Sequence, residues 1–259
     1  MNNIFSLKNK VAFVTGAYGY LGEIFVYALA RCGAIVYANG RDKFKIQELI
    51  KSYPDFDIRP AVFDVTDEDA LKNFIENYNF NKLDIIVNNA YSGRGGQIKT
   101  SLISDYINSM SYSVHAPQIL TKNFLPFLEE SAKIGAYPSV INIASMYGLI
   151  IPDLSIYDDE ENSNPPFYGS SKAAMIHWSK YASVEFGSKG IRFNTISPGP
   201  FPDPSKVSDN VFISKLKQKV PMGRIGELED LIGPIIFLAS ESSKYITGEN
   251  IIVDGGWTV

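Results

Sequence analysis

The sequence predicts an α/β protein built on a doubly wound parallel sheet of about seven strands, with helices on both faces. Seven short runs rich in valine and isoleucine recur along the 259 residues, and their apolar character on both faces is typical of strands buried in a parallel sheet. Longer segments with helical spacing lie between them. A regular alternation of strand and helix predicts right-handed crossovers and therefore a doubly wound sheet.

The elements are arranged in order along the chain. The predicted strands are VAFVT (11–15), IVYAN (35–39), RPAVFDV (59–65), LDIIVNN (83–89), SVINIAS (139–145), IRFNTIS (191–197) and NIIVD (250–254). Residues 20–32 carry one apolar helical stripe, and residues 67–78 begin with acidic side chains that complement a helix dipole. Because no linker or repeat divides the chain, we expect one domain over 1–259, with 150–167 as a long loop inside it.

Composition limits the classes of partner. The net charge is −4 and no basic cluster exceeds short pairs, so we expect neither nucleic acid nor an anionic membrane as a partner, but a small molecule. Cys32 is the single cysteine, and His115 and His177 are the only histidines, so we expect no disulfide and no metal site. The N-terminus lacks the apolar core of a signal peptide and 231–239 is too short to span a bilayer, which predicts a cytoplasmic protein.

The stretch TGAYGYLG, residues 15–22, follows the first predicted strand and precedes the first predicted helix. N–H groups at a helix start bind phosphate, and glycines at 16, 19 and 22 permit a tight turn, a close phosphate approach and close packing of the helix on the sheet. An ordinary strand-to-helix turn is the alternative. Arg41 stands at the end of the second strand, and its guanidinium suits the 2′-phosphate of NADP. The alternative interpretation is that Arg41 is a solvated surface residue beside Asp42.

Four later predicted strands also end in polar elements: FDV (63–65), VNNA (87–90), ASMYG (144–148) and SPGPF (197–201). Each alone is an ordinary turn former. Because the carboxyl ends of parallel strands share one edge, their joint placement predicts a ligand site there.

The segment YGSSK places Tyr168 and Lys172 four residues apart on one helix face. There the ammonium is expected to stabilise the phenolate and to lower the pKa of Tyr168, which makes the phenol a proton donor to a carbonyl. Ser145, at the end of the preceding strand, is expected to orient that carbonyl while a nicotinamide carries the hydride. A second Y-x-x-x-K match, Tyr78 to Lys82, lies before the fourth strand at the amino edge, and we assign it no role.

These motifs, together with NNA (88–90), FDVTD (63–67) and DGGW (254–257), make the chain resemble the short-chain dehydrogenase/reductase family over its whole length. The resemblance implies a single Rossmann-type domain, a homotetramer or homodimer, and Tyr168 as general acid/base with Lys172 bonding the nicotinamide ribose. The catalytic residues implied are Ser145, Tyr168, Lys172 and Ser113. The cofactor-binding residues implied are Gly16, Tyr18, Gly19, Tyr20, Leu21, Arg41, Asp64, Val65, Asn89, Ala90, Tyr168, Lys172, Pro198, Gly199 and Phe201.

The sequence departs from the family pattern at three positions. Tyr20 stands where single-domain members usually have a glycine, and the glycine spacing instead matches the longer, epimerase-like branch. Ser113 replaces the usual catalytic asparagine of the proton relay, and Tyr91 replaces the glycine of NNAG. The gap from Ser145 to Tyr168 is longer than usual by roughly ten residues, which suggests a substrate lid or an acidic solvated loop.

The function predicted is that of an NADP-preferring oxidoreductase, with NAD also open, that interconverts a secondary alcohol and a ketone on a sugar or polyol. The motifs most resemble reductases of bacterial surface-sugar or flagellin modification, with gluconate 5-dehydrogenase-like and oxoacyl-carrier-protein-reductase-like members nearby. Arg94 is a candidate for contact with an anionic or hydroxyl-rich substrate. The alternatives are a 3-oxoacyl-type reductase, a nicotinamide sensor without turnover, and an epimerase or dehydratase.

Overall fold

One parallel sheet organises the chain. The computed structural model describes residues 4–77, 81–207 and 209–259. Its strands are β1 (Val11–Val14), β2 (Ile35–Gly40), β3 (Ile58–Val62), β4 (Ile85–Asn88), β5 (Ser139–Ile143), β6 (Arg192–Pro198) and β7 (Asn250–Val253). They pair in parallel in the order β3-β2-β1-β4-β5-β6-β7, so the predicted doubly wound sheet is confirmed. The order reverses between β1 and β4, and a crevice opens at such a switch point above the carboxyl ends of the strands.

Helices connect the strands. They are α1 (Tyr20–Arg31), α2 (Lys43–Ser52), α3 (Glu68–Asn77), α4 (Ile103–Met110), α5 (Ala116–Lys133), α6 (Pro166–Gly187), α7 (Asn210–Lys219) and α8 (Ile232–Ala239). A π-helical turn, Ser111–His115, joins α4 to α5 without a break. Short 3-10 turns occupy Met146–Gly148, Leu154–Ile156, Glu160–Asn162, Leu228–Leu231 and Glu241–Ser243. None of the helices in the described ranges combines the length and the apolar character needed to cross a bilayer.

Successive strand residues alternate between two cores, as the pleat requires. Ala12 and Val14 of β1 belong to a core that α1, α2 and α8 cover. Phe13, between them, belongs to the core on the opposite face, which α3, α5 and α6 cover. Helices therefore pack on both faces of the sheet, and the carboxyl edge is left open to solvent between them.

The strand ends differ from the predicted ones for local reasons. The third strand ends at Val62, before FDV, because the Asp64 carboxylate accepts hydrogen bonds from the Thr66 N–H and hydroxyl and closes a turn. The fourth begins at Ile85, because the carboxylate of buried Asp84 accepts from the Val11 N–H. Both polar side chains interrupt a run that resembles one continuous strand in the sequence.

Candidate active site

The TGAYGYLG turn is packed too closely for side chains at two of its glycines. Gly16 has a φ of +63°, and a Cβ there would lie 2.9 Å from the Cα of Ala90. A Cβ on Gly22 would lie 2.0 Å from the Gly16 carbonyl oxygen, so α1 can approach the turn only because residue 22 is glycine. The turn thus has the close helix approach expected of a phosphate-binding segment.

A side chain from the end of β1 and one from the end of β4 hold this turn. The Thr15 hydroxyl accepts hydrogen bonds from the N–H groups of Asn89 and Ala90, both at 2.9 Å. The Asn89 amide donates to the carbonyl oxygens of Thr15 and Gly16 at 3.0 and 3.2 Å. Asn89 therefore braces the glycine turn with its side chain, a role that the motif alone did not reveal.

The glycine turn, the strand ends and the start of α6 enclose one cleft of about 320 Å³. The predicted residues that line it are Gly16, Tyr18, Gly19, Tyr20, Leu21, Arg41, Asp64, Val65, Asn89, Ala90, Tyr168 and Lys172. Tyr112 and Lys206 also line it; sequence reasoning missed both, because neither belongs to a strand-end motif. The predicted residues that meet in this cleft thus come from five segments of the chain.

At one end of the cleft lies Arg41. Its side chain is 58% exposed, and its guanidinium donates to the Tyr112 hydroxyl at 3.2 Å and lies 3.5 Å from the Asp64 carboxylate. Asp42, the neighbouring acid, is the N-cap of α2, where its carboxylate accepts from the N–H groups of Phe44 and Lys45. The acid is therefore occupied by the helix start, while the arginine lines the cleft.

Three predicted cofactor residues do not line this cleft in the described structure. Pro198 ends β6, and Gly199 follows it with its N–H bonded to the Val253 carbonyl; a Cβ there would lie 2.5 Å from the Asp254 Cα. Phe201 packs against Gly226 and lines a separate cavity. Contact of Pro198, Gly199 and Phe201 with a cofactor stays a prediction.

The three central catalytic candidates meet where β5 and α6 adjoin the cleft. Ser145 lies close enough to Tyr168 to lower the pKa of the phenol through hydrogen bonding. Lys172 is 3% exposed, its ammonium donates to the Ile143 carbonyl at 2.7 Å, and it lies 5.7 Å from the centroid of the Tyr168 ring. Serine, phenol and ammonium are therefore within one small buried volume.

The pKa of Tyr168 differs from the prediction. Burial raises it, and the hydrogen bond from Ser145 opposes this shift in part. We expected the Lys172 ammonium to lower the pKa of Tyr168, and this prediction is wrong. The ammonium faces the Tyr168 ring and donates its hydrogen bond to a backbone carbonyl. Burial also lowers the pKa of Lys172 to about 7.

Ser113 lies in the π-helical turn and is fully buried. Its hydroxyl donates to the Ser171 hydroxyl at 3.0 Å, and Ser171 donates to the Tyr168 carbonyl at 2.9 Å. The described hydrogen bonds thus connect Ser113 to the backbone of Tyr168 and not to the Lys172 ammonium. Its part in a proton relay stays a prediction.

Tyr91 lies against Tyr168 and Lys172, the pair predicted to be catalytic. Its ring packs edge-on to the Tyr168 ring at 5.0 Å, and the Lys172 ammonium lies 5.1 Å from its centroid. Its hydroxyl is hydrogen-bonded to Ser109 at 3.0 Å. The departure from the family's glycine therefore places an aromatic side chain inside the candidate active site.

The long loop over 150–167, called the insertion below, covers a second, smaller pocket of about 260 Å³ that reaches Tyr168. Ser163 is fully buried; its carbonyl accepts from the Gly96 N–H at 3.0 Å, and its hydroxyl donates to the Gly96 carbonyl at 3.1 Å. On the other side, Lys215 of α7 donates to the Asp158 carboxylate at 2.6 Å. The insertion is thus attached both to the loop after β4 and to α7, with the pocket beneath it.

Arg94 also lines this pocket, but its guanidinium is engaged within the protein. It forms two hydrogen bonds to the Asp105 carboxylate, at 3.2 and 2.7 Å, and one to the Thr100 carbonyl at 2.8 Å. These contacts fix the loop, so the structure favours a structural role over the predicted substrate contact. The second Y-x-x-x-K lies partly outside the described residues, since Tyr78 is not described; Lys82 pairs with Asp84 at 2.8 Å.

The residues of the larger cleft fit a nicotinamide dinucleotide. Gly19, the N-cap of α1, supplies no side-chain hydrogen bond, which leaves the first-turn N–H groups for phosphate oxygens. Such a cofactor supplies or accepts the hydride when bound. With such a cofactor bound, Tyr168 would exchange a proton with a substrate oxygen and Ser145 would orient that oxygen. Both roles, like that of the long loop as a lid, stay predictions.

Comparison with known proteins agrees with this geometry. The sequence profile of the family described as Enoyl-(Acyl carrier protein) reductase matches residues 21–258. Sorbose reductase SOU1 of Candida albicans is 33% identical, with 99% of this chain and 89% of that protein covered. A 7alpha-hydroxysteroid dehydrogenase of Paraclostridium sordellii is 32% identical (98% and 93% covered), and the 3-oxoacyl-[acyl-carrier-protein] reductase FabG of Thermotoga maritima is 28% identical (98% and 99%).

Solved structures share the whole fold. The RhlG/NADP active-site complex of Pseudomonas aeruginosa superposes with a TM-score of 0.90 at 27% identity, with 100% of each chain covered. A gluconate 5-dehydrogenase of Burkholderia cenocepacia in complex with NADP and tartrate gives 0.86 at 26% identity (98% and 97% covered). A short chain dehydrogenase of Leptospira borgpetersenii with bound NAD+ gives 0.86 at 26% identity (100% and 96%).

These proteins are dehydrogenases and reductases of CH–OH groups, although their named substrates range from sorbose to steroids and acyl chains. The predicted enzyme class, an oxidoreductase of CH–OH groups, agrees with these relatives. The predicted cofactor, NADP or NAD, agrees with the solved structures that hold NADP or NAD+. Together with the glycine turn, the seven-stranded sheet and the Ser145, Tyr168 and Lys172 cluster, the match over residues 21–258 shows that this chain belongs to the short-chain dehydrogenase/reductase family.

Proposed function

We propose that this protein is an NADP(H)-preferring oxidoreductase that interconverts a secondary alcohol and a ketone on a sugar or polyol. The cofactor preference is supported by the position of Arg41, which lines the cleft with more than half of its surface exposed. Asp42, which would repel a 2′-phosphate if it faced the cleft, is occupied as the α2 cap. A bidentate guanidinium favours a phosphate over a ribose hydroxyl.

The hydroxyl-rich substrate is supported by one atom of the insertion. Asn164 lines the pocket that reaches Tyr168, and its side-chain oxygen is buried with no hydrogen-bond partner among the described residues. An unpaired buried acceptor costs about 1–3 kcal/mol, which a substrate hydroxyl would offset by donating to the oxygen once the Asn164 side chain turns toward the pocket. We therefore infer that the insertion is a lid whose inner wall recognises a hydroxyl group next to the reacting carbon.

The cofactor preference is tested by calorimetric titration with NADPH and NADH in parallel. We expect tighter binding of NADPH, and a loss of that preference by about 10- to 100-fold in Arg41→Ala, since one charge-assisted contact is worth about 1.5–3 kcal/mol. Lys43→Ala, which removes a cation from the first turn of the same helix α2, is the matched control and keeps the preference. Equal affinities of the wild-type protein for both cofactors would contradict the proposal.

The substrate class is tested with a panel of keto-sugars set against a 3-oxoacyl thioester, the substrate of the alternative function. We expect turnover of a keto-sugar, with its KM raised about tenfold or more in Asn164→Leu and retained in Asn164→Asp, which keeps an acceptor oxygen. Preferential reduction of the thioester would show that the substrate is an acyl thioester and not a sugar. Tight cofactor binding without turnover of either class would favour the nicotinamide sensor.

A further inference from the structure

The Lys172 ammonium is held in surroundings that do not favour a charge. The side chain is 3% exposed, and its described hydrogen bond goes to one neutral group, the Ile143 carbonyl. An ammonium in such a site carries a large desolvation penalty, so its neutral form becomes competitive near neutral pH. If the protonated form of Lys172 is to bind a ribose hydroxyl or support the Tyr168 phenol near neutral pH, neighbouring groups have to stabilise that form.

Two aromatic rings face this ammonium. The Tyr91 centroid lies 5.1 Å from the Nζ atom and the Tyr168 centroid 5.7 Å, and the two rings are 79° apart in plane with 5.0 Å between their centroids. A cation within about 6 Å of a ring centroid is attracted by the ring quadrupole, and more strongly where water is excluded. Both rings therefore stabilise the charged form of Lys172 against its neutral form.

The Tyr91 ring is fixed in this orientation by serine hydroxyls. Its own hydroxyl is hydrogen-bonded to Ser109, whose hydroxyl lies within hydrogen-bonding distance of the Ser171 hydroxyl (2.8 Å) and of the Phe167 carbonyl (3.1 Å). Ser113 donates to the same Ser171 at 3.0 Å. Burial raises the pKa of Tyr91 to about 12, so this phenol stays neutral and carries no charge of its own near pH 7.

We propose that Tyr91 is a positioning residue: its ring and that of Tyr168 clamp the Lys172 ammonium and keep it protonated inside the buried site. The groups that titrate and face Lys172 in the described structure are these two phenols, one from the loop after β4 and one from α6. Burial of the Lys172 side chain opposes protonation, and the Ile143 carbonyl, which accepts a hydrogen bond from the ammonium, is its other described polar contact. The inference rests on the proposed active-site roles of Tyr168 and Lys172.

The test is an NMR titration of the lysine ammonium groups, in full-length protein labelled at the lysine side chains, with Lys172→Arg used to assign the signal. In Tyr91→Leu the charged form loses one ring, so we expect the pKa of Lys172 to fall by about 0.4 to 1.5 pH units. In Tyr91→Phe the ring stays and only the bond to Ser109 is lost, so we expect less than half of that fall. Tyr91→Met fills a similar volume without a π face and is the second variant if the leucine protein does not fold.

An unchanged Lys172 titration in Tyr91→Leu or Tyr91→Met overturns the proposal. An equal fall in Tyr91→Phe also overturns it, because the hydroxyl and not the ring would then carry the effect. The titration needs no substrate and no turnover, so it gives its answer even if the protein reduces none of the proposed substrates. Failure of the proposed function and failure of this inference are therefore separate results.

Discussion

At the scale of single residues, the surroundings of Tyr168, the candidate proton donor, are set by contacts with neighbouring side chains more than by its own motif. Tyr168 lies close to Ser145 and packs against Tyr91, while Lys172 faces its ring. The spacing of YGSSK predicted that phenol and ammonium share a helix face, and they do. It did not predict that the ammonium bonds to the Ile143 carbonyl, because that contact depends on how α6 packs against β5.

Replacement of Tyr168 by phenylalanine separates proton transfer from binding. We expect turnover to fall by about 10²- to 10⁴-fold, the usual contribution of a general acid, with the Kd for NADPH nearly unchanged because the ring remains. Tyr181→Phe, the same substitution at an exposed site on the same helix, is the control and keeps full turnover. Near-normal turnover of Tyr168→Phe would show that another group moves the proton.

At the scale of elements, the first turn of α1 shows how packing sets the glycine pattern. Alanine at position 22 gains about 1 kcal/mol of helix propensity, but its Cβ would lie 2.0 Å from the Gly16 carbonyl oxygen, and overpacking of this kind costs about 1–3 kcal/mol. We expect Gly22→Ala to lower the free energy of unfolding in urea and to weaken NADPH binding, since the turn must shift.

Gly233→Ala is the matched control for this substitution. Gly233 lies in the first turn of α8, and a Cβ there would meet nothing within 4 Å. We therefore expect this variant to be as stable as the wild-type protein or more stable, by up to about 1 kcal/mol. If the two variants had the same stability, the close approach at Gly22 would not be a constraint on the fold.

The insertion is an element whose role is a prediction. Removal of residues 155–164 takes away the Ser163 contacts with Gly96 and the Asp158 pair with Lys215, and so opens the pocket beside Tyr168. We expect a higher KM for an accepted keto-sugar and an unchanged Kd for NADPH. Lys215→Ala, which breaks one partly exposed ion pair worth about 0–1 kcal/mol, is the milder control. An unchanged KM after the deletion would show that the insertion is a solvated loop and not a substrate lid.

At the scale of the whole molecule, sequence patterns predicted those features that repeat along the chain or occur at strand ends. The seven strands and the cleft at their carboxyl edge depend on apolar runs and on the polar residues at the ends of those runs, so both were predictable. The bracing role of Asn89 and the place of Ser113 in a serine cluster depend on contacts between distant segments. No local pattern encodes such contacts, and the same holds for the attachment of Arg94 to Asp105.

Assembly is the prediction that concerns the whole surface. The family resemblance implies a homotetramer or homodimer, and two helices expose apolar side chains one turn apart: Tyr181 and Val184 on α6, and Ile103 and Ile107 on α4. Val184 is 84% exposed, which is costly for an unpartnered surface.

We expect light scattering to give a molecular mass that is a multiple of 28.7 kDa. Val184→Glu is expected to lower this mass, because a buried, unpaired carboxylate disfavours association. Val211→Glu, at a 59% exposed site on α7, is the control and leaves the mass unchanged. A wild-type mass of 28.7 kDa would exclude the predicted oligomer.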